Sequence, residues 1–346
     1  MKITSTLARI LSGSVSLVLV ACSSNSIKNN EIEQSFIEQM VSRHQFDESE
    51  LEDLFATVAI KEDILSRIAK PSEGMPWYKY RRIFLTEERI NAGVKFWQDN
   101  AQILAEVEKI YGVPPSIIVA IIGVETSYGK NTGKHRVIDA LSTLAFAYPP
   151  RAKFFQSELE HYLLFCRDQH FNPLEPLGSY AGAMGMPQFM PSSFRSFAVD
   201  FDQDGQSDIW HNHADVIASV ANYFAKHEWH TGQAIAFPVT AVGEASAPAN
   251  APRLRPVSEK YKTVLNGDLK PDLRLVELES LNLKTERSVP LDTEVKLLSF
   301  EQASGEELWA ALDNFYVITR YNHSPLYAMA VYQLSEAILK TKGTFP

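Results

Sequence analysis

Apolar residues recur at helical spacing through the first third of the chain. Ile32, Phe36, Ile37, Met40 and Val41 fall on one stripe, and Leu51, Leu54, Phe55 and Val58 on a second. Ile90, Val94, Trp97, Ala101 and Leu104 form a third, stopped by Gly112 and the Pro114-Pro115 pair. These spacings predict core-forming helices to about residue 112, with no chemistry of their own. Residues 113–230 read as mainly helical with two long loops. After Gly232 the pattern changes. Residues 245–256 are rich in Ala and Pro and read as a loop, while 273–278, 295–300 and 315–319 are short runs of β-forming residues. A last helix over 326–339 is expected to pack back on the helical body. The fold class is therefore α+β, mainly α. The expected domains are an α domain over 31–112, joined by the 326–339 helix, and a helical core over 113–232. A small β-containing module over 233–319 and a return to the core and α domain over 320–346 complete the plan.

The N-terminus stands apart from this pattern. Lys2 and Arg9 precede a mostly apolar stretch over 10–20, too short and too often interrupted by Ser and Gly to make a good membrane span. It ends in Leu19-Val20-Ala21-Cys22, followed by Ser23-Ser24-Asn25-Ser26. That arrangement resembles a bacterial lipobox. It implies a signal peptide over 1–21, cleavage before Cys22, lipidation of Cys22, and a polar tether over 22–30. An ordinary signal peptide that happens to contain a Cys is the alternative. Ser23, where inner-membrane lipoproteins carry Asp, implies an outer-membrane lipoprotein facing the periplasm. Cys166 is the other cysteine, so no internal disulfide framework is expected, and its apolar helical setting reads as a buried thiol.

Composition narrows the partners. A chain of 346 residues with 45% hydrophobic content can bury a sizeable core. Its net charge of -9 argues against a nucleic-acid partner, which would want a basic face.

Two segments carry candidate chemistry. From Pro114 the chain is apolar almost throughout until Glu125, which shares a helical face with Ile118, Ile121 and Ile122. A carboxyl on an apolar face loses solvation and holds its proton, as a glycosidase acid must. A Glu paired to a nearby Arg or Lys would give the same pattern. Thr126-Ser127-Tyr128-Gly129 follows, with Gly129 a helix terminator. Some fifty residues on lies Gly178-Ser179-Tyr180-Ala181-Gly182-Ala183-Met184-Gly185-Met186-Pro187-Gln188-Phe189-Met190-Pro191-Ser192. Its small residues let backbone approach a ligand. Ser179 and Gln188 offer hydrogen bonds, and Met186, Phe189 and Met190 apolar contact for a sugar face. A tightly packed helix junction remains the other reading. No Walker ending is present, so this is not a phosphate loop.

Glu125 with its Gly-Val-Glu-Thr-Ser-Tyr-Gly setting, together with 182–192, resembles the lytic murein transglycosylases, and among them the membrane-bound lytic murein transglycosylase B family. The similarity runs from about residue 32 to about 335 and is weakest over 240–310. It implies a lysozyme-like core with an added α domain and a small β domain, and Glu125 as sole acid/base. Ser179 and Gln188 would then lie in the saccharide cleft. Tyr80, Tyr223, Tyr321, Asn322 and Tyr327 match cleft residues of the family; aromatic faces and amides suit sugars.

The acidic loop is a separate signal. Asp200, Asp202 and Asp204 occupy positions 1, 3 and 5 of an EF-hand loop, Gly205 position 6, the Gln206 carbonyl position 7 and Asp208 position 9. Position 12 is His211, a poor ligand for a hard cation. The resemblance implies a lengthened loop closed by a later Asp, which Asp215 would supply, with structural Ca2+ as cofactor and no organic cofactor. A solvated Asp turn without metal, or a transition-metal site using His211 and His213, are the rivals.

The expected activity is cleavage of the β-1,4 bond from N-acetylmuramic acid to N-acetylglucosamine in peptidoglycan glycan strands, leaving 1,6-anhydromuramic ends. A lysozyme-type hydrolase and a non-catalytic peptidoglycan-binding scaffold are the alternatives.

Overall fold

The computed structural model describes residues 31–69, 74–241, 261, 264–265, 267–285 and 289–343. The signal peptide, Cys22, the tether and the 245–256 loop lie outside the described residues. The described residues divide into two compact units, one within 31–69, 135–176 and 180–182, the other within 74–134, 177–179 and 183–343. The expected α domain over 31–112 is thus shared out at residue 69.

The first unit is helical. Helix α1 covers residues 31–44, and α2 covers Glu48–Ala56, where Asp47 caps the start by accepting from Glu50 N. Helix α3 is Glu62–Ile68. The chain returns to this unit later, in α8 (Val137–Ala147) and α9 (Ala152–Asp168). Phe36, Phe55 and Phe146 meet edge-on at its centre, with ring centroids 5.8–6.0 Å apart. Cys166 is buried here, as expected.

The second unit carries α4 (Trp77–Phe84), α5 (Glu87–Asp99), α6 (Ala101–Tyr111), α7 (Pro115–Thr126), α10 (Pro191–Phe197) and α11 (His213–Lys226). The stops predicted around α7 are present. Gly112 ends α6 in the left-handed region at φ 71°, and Pro115 opens α7. Every residue of α7 except Glu125 is buried, so this helix is the centre around which the unit packs. The third apolar stripe does not form one helix. It breaks at Asn100, whose Nδ2 donates to Phe96 O (2.8 Å) and whose Oδ1 lies 3.0 Å from His213 Nδ1. An Asn side chain that bonds locally competes with the helix ladder.

Beyond α11 lies a five-stranded antiparallel sheet: β1 (Ala236–Ala241), β2 (Leu273–Arg274), β3 (Leu283–Thr285), β4 (Glu294–Glu301) and β5 (Glu306–Ala311), in spatial order β2-β4-β5-β1-β3. Trp309 sits opposite Leu298 on one side and Pro238 on the other. The run 295–300 is a strand as read, but two others are corrected. Only Leu273–Arg274 is extended; Leu275–Ser280 is a helix, α12, because Leu275 and Leu278 bury one turn apart and Glu277 reaches back to Arg274 N (2.7 Å). Residues 315–319 lie in α13 (Asp313–Tyr321), where Phe315 and Ile318 bury on one face. There Asn314 Nδ2 donates to His230 O and Gln233 O and its Oδ1 accepts from His230 N. A β-forming run is a weak prior that tertiary packing overrides. The last helix, α14 (Pro325–Lys342), packs on α7, α5 and α4 within the same unit. Among the described residues no single helix is long and apolar enough to cross a membrane.

Candidate active site and acidic loop

Glu125 is the penultimate residue of α7 and the one member of that helix that keeps part of its surface open. Burial of its carboxyl raises the pKa from 4.5 to about 7, against the opposing effect of a hydrogen bond from Tyr327. That bond runs from the Tyr327 hydroxyl to Glu125 Oε1 at 2.5 Å. Tyr327 is held in the first turn of α14, where Pro325 sits at the start and Ser324 Oγ accepts from Tyr327 N (3.4 Å). Burial, and after it the Glu125 charge, push the phenols of Tyr80 and Tyr321 upward. Tyr327 rises for the same two reasons. The carboxyl thus touches the Tyr327 phenol of α14, while the phenols of Tyr80 on α4 and Tyr321 on α13 lie near enough to feel its charge.

The tyrosines also fix one another. Tyr321 stacks on Tyr327 with centroids 6.5 Å apart and planes at 11°, and its hydroxyl donates to Pro187 O (2.6 Å) in the glycine-rich loop. Tyr223 lies 4.7 Å from Tyr321, stacks on His227 at 4.1 Å, and donates to Arg320 O (2.6 Å). Burial raises the Tyr223 phenol to about 12, opposed by Arg320.

The loop residues are braced by their own backbone. Ser179 Oγ accepts from Ala183 N (3.0 Å). Gln188 Nε2 donates to Gly185 O (2.8 Å) and Thr132 O (3.1 Å), with its own backbone left-handed at φ 52°. Met186 and Phe189 are buried, as Tyr223 and Tyr327 are, and Phe189 lies against Tyr223 and Tyr321. Asn322 is exposed in extended backbone just after α13, and no described contact brings its side chain to Glu125. One contributor went unread. Thr126 Oγ1 donates to Met186 O (3.0 Å) and accepts from Gly129 N (3.0 Å), tying the end of α7 to the loop. A buried Thr leaves no mark in the hydrophobic pattern.

In the acidic loop one carboxylate oxygen from each of Asp200, Asp202 and Asp204 lies within 4.8 Å of the other two. Asp200 accepts from Asp204 N (3.1 Å) and Gly205 N (2.9 Å), and Asp204 accepts from Gln206 N (2.9 Å), which bends the loop around the cluster. Asn212 Nδ2 donates to Asp202 Oδ2 (2.8 Å). Asp215 lies outside the cluster. It is fully buried, and its two oxygens accept from Phe201 N and Asp208 N, each at 2.8 Å, so that it clasps both ends of the loop. Burial raises its pKa, those two bonds lower it, and Asp202 and Asp200 raise it further. His211 and His213 do not join the cluster; His211 Nδ1 lies 3.3 Å from Asp208 and His213 meets Asn100. An all-oxygen set of this kind fits a hard cation and not a transition metal.

The family model described as Transglycosylase SLT domain matches residues 28–336. The chain belongs to the SLT transglycosylase family. This SLT transglycosylase is 40% identical over 320 residues to membrane-bound lytic murein transglycosylase B of Escherichia coli (strain K12), covering 90% of this chain and 83% of the relative. The crystal structure of soluble lytic transglycosylase SltB1 from Pseudomonas aeruginosa superimposes with a TM-score of 0.81 at 45% identity, covering 90% of this chain and 99% of that one. Escherichia coli lytic transglycosylase Slt35, solved in complex with calcium, superimposes with a TM-score of 0.80 at 38% identity, covering 90% and 94%. The SLT transglycosylase fold is mainly helical with a small sheet module, and its structural neighbours are lysozyme-like.

Proposed function

We propose that the chain is a lytic transglycosylase of peptidoglycan, with Glu125 as its single acid and base. The observation that carries this reading is a desolvated carboxyl, raised to about 7, set among three phenols. A pKa near 7 puts both the acid and the carboxylate form within reach at neutral pH. Protonated Glu125 gives it to the oxygen bridging N-acetylmuramic acid and N-acetylglucosamine, and the C1–O bond breaks. The carboxylate then takes the proton of the muramic C6 hydroxyl, whose oxygen closes on C1. The product is a 1,6-anhydro end, and Glu125 is protonated again. Glycosidases generally need two carboxylates. An internal nucleophile removes that need, and among the described residues the group that bonds the Glu125 carboxyl is the Tyr327 phenol.

Tyr80, Tyr223, Tyr321 and Tyr327 form the aromatic wall of the saccharide cleft, with Ser179, Gln188 and Asn322 as its polar edge. Digestion of murein by the purified protein, followed by mass analysis of the muropeptides, tests the reading. Products lighter by one water than hydrolysis products are expected. Hydrated products would make the protein a lysozyme-type hydrolase, and binding without turnover a scaffold.

Asp200, Asp202, Asp204 and the Gln206 carbonyl hold calcium in an EF-hand-like loop, with Asp215 keeping its ends closed. The ion supplies charge neutralisation and no chemistry at the scissile bond. The lipobox reading makes Cys22 the lipid anchor to the outer membrane, and the name of the Escherichia coli relative supports a place in the cell envelope. Cys22→Ala is expected to leave activity on soluble glycan intact while releasing the protein from the membrane fraction. Persistent membrane association of the exported variant would remove the anchor.

A further inference from the structure

The chain leaves α7 through an unusual corner. Ser127 and Tyr128 both lie in the left-handed region, at φ 51° and 62°, a conformation that costs energy for any residue with a side chain. Two in succession directly behind Glu125 and Thr126 need outside support, and α5 supplies it. Arg89 Nη2 donates to Ser127 Oγ (2.9 Å), while the guanidinium lies over the Phe84 ring at 5.2 Å. The Tyr128 hydroxyl donates to Arg89 O (3.0 Å), and Phe96 stacks on its ring with centroids 5.6 Å apart. The ring itself fills a slot between two helices. A Cβ on Gly93 of α5 would fall 2.4 Å from Tyr128 Oη, and one on Gly123 of α7 would fall 2.5 Å from Oη and 2.6 Å from Cζ. Glycine stands at both positions because the phenol occupies the space their side chains would need. Burial pushes the Tyr128 phenol far up, so it remains a neutral donor at any working pH.

We propose that Arg89 and Tyr128 are positioning residues which lock the corner behind α7 and thereby fix the direction in which Glu125 presents its carboxyl. The proposal rests on the reading of Glu125 as the acid. Glu125 is next to last in its helix, so no further turn holds it, and helix ends fray unless their groups are tied down. The carboxyl accepts from the Tyr327 hydroxyl of α14, and Tyr321 of α13 stacks on that ring. A small swing of the α7 end exchanges that dry setting for water and moves the acid off the scissile oxygen. Displacements near 1 Å cost on the order of a hundredfold in rate.

The test compares Gly123→Ala, which fills the slot, Tyr128→Leu, which empties it, and the pair combined. Tyr128→Phe and Arg89→Met remove single bonds. Turnover of soluble glycan strands is followed across pH together with melting temperature. Gly123→Ala and Tyr128→Leu are expected to lower kcat by about tenfold to a hundredfold, with KM changed less than about twofold. The pH at which activity falls off should move down by about half a unit or more, as the carboxyl meets water. The double variant should recover part of the Gly123→Ala loss, because Leu leaves room for the new methyl. Tyr128→Phe and Arg89→Met should move the same quantities less, and they decide the matter if Gly123→Ala does not fold. Folded variants that melt earlier yet keep the wild-type kcat and pH profile would make the corner merely structural and overturn the proposal, as would a lower kcat with an unmoved profile. Glu125→Gln separates the two readings. If it remains active, the acid assignment fails; if it is inert while the corner variants behave as wild type, the lock alone fails.

Discussion

Glu125 and the 200–208 loop place the same chemical group in opposite surroundings. Glu125 is a lone carboxyl at the end of an apolar helix, and loss of water makes it keep its proton near neutral pH. Asp200, Asp202 and Asp204 crowd within 4.8 Å, on a loop open to solvent. Backbone N–H groups turn the loop around them, and oxygen donors gathered this closely suit a hard cation. A carboxylate suits the work of an acid or of a metal ligand according to what surrounds it, and the proposed reading gives this chain one of each.

The largest effect that would sharpen this contrast is loss of the Glu125 proton. Glu125→Gln is expected to lower glycan turnover about a thousandfold or more while the protein stays folded; near-normal turnover by the folded variant would remove the acid. The same variant should melt higher than wild type at neutral and alkaline pH. Below 4.5 the group is protonated folded and unfolded, so nothing changes. Above 4.5 the unfolded chain releases a proton that the native state keeps up to about 7, so wild-type stability falls across that window. The gap corresponds to up to about 3 kcal/mol, and equal melting of the two proteins at pH 8 would contradict it.

Calcium should act on the other region alone. It is expected to raise the melting temperature, with about 2.7 kcal/mol available at a hundredfold excess over Kd, and magnesium should do less because it gives up water reluctantly. Identical melting in chelator and in calcium would empty the loop of its role, and a shift retained in Asp202→Ala would place the ion elsewhere. The smallest effect is at Tyr327. Its hydroxyl favours the charged carboxylate, so Tyr327→Phe should raise the Glu125 pKa, and activity should persist about a unit or less further into alkaline pH. A downward movement of that limb would mean the hydroxyl favours the acid form instead.

The contrast was legible because each half is local. Ile118, Ile121 and Ile122 share a face with Glu125 within two turns, and Gly112 and Pro115 mark where α7 can begin. The loop declares itself by Asp at every second position. What the sequence hid is contact at a distance. Tyr327 lies 202 residues from its partner Glu125. The break at Asn100 involves His213, and Gly93 and Gly123 read as ordinary helix residues until Tyr128 is seen between them. Short apolar runs such as 315–319 carry no period long enough to separate strand from helix, and the buried Asn314 settled that one. The expected α domain was drawn by continuity of helices along the chain, whereas compactness is decided by which helices pack together.

The bond between Tyr327 and Glu125 ties together two parts of the chain 202 residues apart. Tyr327 lies in α14, which begins at Pro325 in a chain of 346 residues. A variant cut before Pro325 would keep Glu125 but lose both that phenol and the helix that packs on α7. Cutting the chain there is therefore expected to let water reach the Glu125 carboxyl, and its pKa should then fall toward the ordinary carboxylate range.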